Sequence, residues 1–155
     1  MANLKDIMVY IIRKYPFKSD LSNAKLTKMI YLADWKHAIT YGRQVSGIKW
    51  YFDNFGPFVW DIKDEALTDS DTFIVKEVLN AYGSPKVIID MKQIQYVPEI
   101  SKEEANSIDH VIETAKKLNW DQFIRLVYST YPIISSEKYT HLDLSTKAKE
   151  YLVCT

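Results

Sequence analysis

The sequence predicts an α+β domain that is predominantly helical, with about five to six helices and a small antiparallel sheet or hairpin inserted after the third. Three observations carry this expectation. Apolar residues recur at helical spacing near both ends of the chain and through its aromatic-rich second quarter. Two runs rich in β-branched residues, 72–80 and 86–91, flank Tyr82-Gly83-Ser84-Pro85, the pattern of a hairpin. Ser101 with Glu104 three residues on spells a capping box at the head of a further helix. A chain of 155 residues, 47% of them hydrophobic, fits a single domain over 1–155 with one sizeable core.

Taken in order, Leu4, Ile7, Met8, Ile11, Ile12 and Tyr15 form the apolar stripe of a first helix that stops before Pro16. A second helix starts after Ser22, an N-cap, and runs to Tyr41, with Gly42 where a left-handed stop is cheapest. On it Leu26, Met29, Ile30, Ala33 and His37 fall on one side and Tyr31, Leu32, Trp35 and Ile39 on the other, so this helix is covered on two faces and central. Residues 48–52 read as a short strand, 54–57 as a turn, and Pro57 as the opening of a third helix over 58–67. After the hairpin, 94–97 reads as an added strand. Ala105, Ile108, Val111, Ile112 and Ala115 mark the fourth helix, and Trp120, Phe123, Ile124, Val127 and Tyr128 the fifth, over 119–130 and ended by Pro132. A last short helix spans about 145–153.

Formal charge is zero, from 20 basic and 20 acidic residues, which removes the global attraction that dominates non-specific nucleic-acid binding. The balance hides an asymmetry: residues 1–50 hold nine Lys and Arg against three acids, and the remainder holds the opposite excess. The lone cysteine, Cys154, offers no internal disulfide, no leader peptide is visible, and no apolar run nears the ~20 residues of a membrane helix. The expectation is a cytoplasmic protein with no membrane partner.

The residues needed for catalysis are scattered. His37, His110 and His141 lie far apart and form no HExxH or CxxC spacing with any partner, so no metal centre is expected, and none of the four glycines builds a GxGxxG or phosphate loop, so no cofactor is expected. His37, on the apolar side of the second helix, reads as a core histidine hydrogen-bonded to backbone. The carboxylates of Asp61, Asp64 and Glu65 read as a solvated face.

Six aromatics in eleven residues, Trp50, Tyr51, Phe52, Phe55, Phe58 and Trp60, cannot all point inward from a short strand, a turn and a helix start. Those left outside form an exposed patch beside Asp53 and Asp61 that suits a basic protein partner. The candidate partner-binding residues are Trp50, Tyr51, Phe55, Phe58, Trp60, Asp61 and Asp64. The rival is a small DNA-binding regulator of winged-helix type. Its recognition helix would carry Asp61, Lys63, Asp64 and Glu65, which repel phosphates, so DNA would have to use the basic N-terminal half, through Lys14, Lys18, Lys25, Lys28 and Lys36.

The run KLTKMIYLADWKHAITYGRQVSG followed by FGPFVWDI resembles the Panacea domain, also called the SocA-like or phage-associated GepA-like family. The resemblance rests on Lys25-Leu26, Lys28, Tyr31-Leu32-Ala33-Asp34-Trp35, Tyr41-Gly42-Arg43 and Gly56-Pro57. Phe55 stands where a tyrosine often precedes Gly-Pro, and Thr140-His141 lacks the Pro-Trp pair that often follows. The resemblance implies an antitoxin and not an enzyme: a module that neutralises a cognate protein toxin by binding it directly, and in SocA-like systems an adaptor that delivers the bound partner to a protease.

Overall fold

The computed structural model describes residues 1–154. The first helix, α1 (Leu4–Lys14), begins at Asn3, whose side chain accepts the Lys5 N–H at 2.9 Å, and ends ahead of Pro16. A 3-10 turn over Lys18–Asp20 leads to α2 (Asn23–Tyr41). Ser22 caps α2 by accepting the Lys25 N–H at 3.1 Å, and Gly42, at φ +77°, closes it with an N–H to the Ala38 carbonyl. A residue with a Cβ is strained in that left-handed conformation, which is why glycine stands there.

Helix α2 is the spine: 13 of its 19 residues are buried, on every side of the helix. Around it pack α3 (Asp61–Thr68), α4 (Lys102–Ala115) and α7 (Leu144–Cys154). Between α4 and α7 lie α5 (Trp120–Tyr128) and the single turn α6 (Tyr131–Ile134). The predicted cap on this half forms, and a second one joins it. Ser101 and Glu104 exchange the reciprocal bonds of a capping box, and Asn119 with Gln122 builds a second one at the head of α5.

Two small antiparallel sheets complete the architecture. The pair β3 (Phe73–Leu79) and β4 (Pro85–Met91) is the expected hairpin, turned by Asn80, whose side chain accepts the N–H groups of Tyr82 and Ser84. It is tied to the start of α2 where the Ile89 N–H donates to the Leu21 carbonyl at 3.1 Å. The second sheet has the order β2-β1-β5, from β1 (Trp50–Asp53), β2 (Gly56–Phe58) and β5 (His141–Leu142).

Three expectations change, and one strand went unannounced. Pro57 does not open a helix; it lies in β2, and α3 begins only at Asp61. Phe52, its register partner, sends its N–H to Thr140 and receives that of Tyr139, both on the β5 side, so proline's missing N–H costs no ladder bond on this edge strand. Residues 94–97 form no strand, because the Ile94 and Tyr96 carbonyls are taken by the guanidinium of Arg13 on α1. Pro132 sits inside a further turn, α6, which raises the helix count above the expected five to six. Strand β5 has only two residues, too short for an alternation pattern to announce it.

Candidate protein-binding face

The site is set up by a buried carboxylate. Asp34, in the middle of α2, is fully buried; its Oδ1 accepts the Ser46 N–H at 2.8 Å, and its Oδ2 accepts the Trp50 indole N–H at 2.8 Å together with the Ser46 hydroxyl and the Gln44 amide. These donors all follow α2 in sequence, so the knot fastens the 44–48 loop and the first residue of β1 to the spine. Burial lifts the Asp34 carboxyl to a pKa of about 6, against the opposing pull of its hydrogen bonds.

With Trp50 held inward, the pleat decides the rest of β1. Trp50 and Phe52 are buried, and Tyr51 and Asp53 face the other way. The register sets Tyr51 opposite Phe58 on β2 and opposite His141 on β5, so the three side chains form one row across the outer face of the sheet. The Tyr51 ring meets the His141 imidazole edge-on at 5.1 Å, and at the far end Trp60 packs edge-on against Phe58 at 5.0 Å. Trp60 is 62% exposed, and Phe55, at the tip of the β1–β2 turn, is 79% exposed.

Of the predicted candidates, Tyr51, Phe55, Phe58 and Trp60 therefore come together on one outward band, with Asp61 and Asp64 exposed beside it at the start of α3. Trp50 does not belong to the band. Its ring packs edge-on against Tyr31 and its N–H is spent on Asp34, so it anchors the sheet from inside. The sequence reading missed His141 and Tyr139, which only the pairing of β5 brings to this face. Tyr139 adopts φ +67°, and its hydroxyl donates to the side chain of Asn54 in the β1–β2 turn. Within the acidic run, Asp69 is drawn off by an ion pair with Lys5 at 2.9 Å.

The lysines proposed for DNA do not share one environment: Lys18 is exposed and Lys36 half-buried. Lys25 and Lys28 are buried, and Lys14 is occupied by Asp109 and the ring of Tyr10. Desolvation lowers the Lys28 ammonium to a pKa of about 8, only partly offset by the field of Asp53. His37 is a core residue, as expected, but its partner is a side chain and not backbone: Nδ1 lies 2.8 Å from the Ser107 hydroxyl on α4, and Nε2 has no partner. Burial holds its pKa down. Among the described residues, no group of three His, Cys, Asp or Glu side chains is arranged to hold a metal, and no helix is long and apolar enough to cross a membrane.

No curated protein matches this chain, and no solved structure matches it. The profile of the family described as antitoxin SocA-like, Panacea domain, matches residues 26–132, which takes in α2, the Asp34 knot, the aromatic band as far as Trp60, the hairpin, α4 and α5. On that match over more than half its length, the chain belongs to the SocA-like antitoxin family and carries a Panacea domain.

Proposed function

We propose that this protein neutralises a protein toxin by direct binding, and that the toxin docks on the outer face of the β2-β1-β5 sheet. Family membership supports an antitoxin role in general. The observation that carries the finer reading is the row Phe58, Tyr51 and His141, extended by Trp60 and by Phe55 at the turn. Aromatic side chains left outside a domain whose core is already filled are the residue type that anchors protein interfaces. Asp53, Asp61 and Asp64 border them, so the face is anionic and suits the basic surface of a toxin that acts on RNA. Binding there would block the toxin by occlusion, and delivery of the bound toxin to a protease would add turnover.

Growth rescue on co-expression with the product of the adjacent gene tests this. The parent protein rescues growth, and Phe55→Ala combined with Trp60→Ala does not, while expression and melting temperature are retained. Asp61→Lys with Asp64→Lys slows association, and slows it more at low salt than at high, because rim charges act mainly on the encounter. Rescue by all of these variants would place the interface elsewhere.

A further inference from the structure

A second concave surface shares no residue with the aromatic band. It is a groove of about 570 Å³ between the first turns of α2 and α5 and the tip of the β3–β4 hairpin. Both helices turn their N-termini to it, through Ser22, Asn23 and Ala24 on one side and Asn119 and Trp120 on the other. Each cap satisfies one first-turn N–H, that of Lys25 by Ser22 and that of Gln122 by Asn119. The helix ends keep their partial positive charge.

The independent observation is Lys25, which also lines the groove. Lys25 is only 4% exposed, and its ammonium sits 5.3 Å from the Tyr15 ring centre and 5.2 Å from that of Phe123. Among the described residues no oxygen accepts a hydrogen bond from it and no carboxylate pairs with it. Ring faces favour a cation but accept none of its three N–H groups in a conventional bond, so this ammonium has no protein acceptor for them. The walls are apolar, formed by Pro85, Val87 and Leu118, and Trp120 and Tyr82 stand exposed at the mouth. Lys86 is engaged with the Ser19 carbonyl, and Asp20 is the one carboxylate of the lining.

We propose that this groove binds a single glutamate or aspartate side chain carried on an otherwise apolar peptide segment of a partner protein. Lys25 and Lys86 against Asp20 leave one net positive charge, which with the two helix ends complements one negative charge. A phosphate dianion would leave part of its charge uncompensated, and a nucleic-acid strand would bring many phosphates to a groove whose net charge is a single positive one. The apolar walls and the exposed Trp120 and Tyr82 accommodate the residues flanking the acid.

Fluorescence anisotropy with blocked, fluorescein-labelled heptapeptides Gly-Ser-Leu-X-Leu-Ser-Gly tests this on the isolated protein, with no toxin present. With X as Glu, binding should be about tenfold tighter than with X as Gln, the value of one charge-assisted contact. Lys25→Met, which keeps the aliphatic packing, should erase that preference. Trp120→Ala, at an exposed position, should weaken both peptides without altering the melting temperature, and so reports on the groove even where Lys25→Met fails to fold. Equal binding of the Glu and Gln peptides, no binding of either, or tightest binding of a phosphoserine-centred peptide would each overturn the proposal.

Discussion

Trp50 and Trp60 bracket one short hairpin and meet opposite fates. Trp50 has no exposed surface, packs edge-on against Tyr31 and donates to Asp34; Trp60 is 62% exposed and leans on Phe58. Their difference is one of address and not of chemistry. Trp50 is the first residue of a strand whose pleat points it at α2, where a buried acceptor waits. Trp60 precedes α3 and stays exposed at the end of the outward aromatic row. Aromatic clusters in sequence thus split into an anchoring half and a presenting half, and the division is made by the partner each ring finds. The first half holds the sheet in place so that the second can be shown to solvent.

The comparison breaks most visibly at Asp34. Replacing it with Ala leaves the Trp50 indole, the Ser46 amide and the Ser46 hydroxyl buried without an acceptor, and should cost about 4 kcal/mol of stability. Urea denaturation measures it. A loss below about 1 kcal/mol would mean that the knot does not hold the sheet.

The next largest effect is on pH. Burial raises the Asp34 pKa from 3.8 to about 6, so the folded state binds this proton more tightly than the unfolded chain does. The contribution of Asp34 to stability therefore falls as pH rises from about 4 to about 6 and is level above that, a span worth about 3 kcal/mol. The stability of the parent minus that of Asp34→Asn, followed from pH 7 down to pH 4, should grow as the solution becomes acidic. A difference that shrinks would reverse the sign argued here.

On the presenting half the expectations invert. Trp60→Ala should change folding stability by less than about 0.5 kcal/mol yet cost about 2 kcal/mol in toxin affinity, read by calorimetry. If Trp60→Ala melts several degrees lower, the ring is structural and the division drawn between the two tryptophans fails. The smallest effect concerns Lys28, buried without an acceptor among the described residues and with its pKa lowered to about 8. Lys28→Met should raise stability by about 1 kcal/mol at neutral pH, because a desolvated charge is replaced by a thioether of similar length. A loss of stability would show that the ammonium finds a partner in solution.

Much of this architecture was legible before any coordinates. Local physical chemistry sets the helix starts and stops: Ser22 and Ser101 carry oxygens that accept first-turn N–H groups, Gly42 tolerates a left-handed φ, and Asn80 with Gly83 turns the hairpin. The two-sided apolar pattern of α2 announced a buried spine for the same reason, since an exposed helix would not tolerate apolar residues all round. These signals depend on neighbours within a few residues, and they survive in the folded chain.

Long-range pairing was not legible, and the site depends on it. Pro57 reads locally as a helix opening, but β1 draws it into a strand where its missing N–H is harmless. Two residues of β5, far down the chain, close the third strand and carry His141 to Tyr51. The aromatic and acidic composition of 50–64 told of an exposed patch without telling which rings would form it, because the acceptor that withdraws Trp50 is Asp34 on another element. Lys25 and Lys28 read as solvated lysines on a basic helix, and their burial follows from packing that brings Phe123 and the sheet over them. The sequence by itself determined most helix starts and stops, the central helix and the family; the tertiary structure alone decided which aromatic side chains face outward, since facing is set by strand register and by contacts between residues that sequence distance keeps apart.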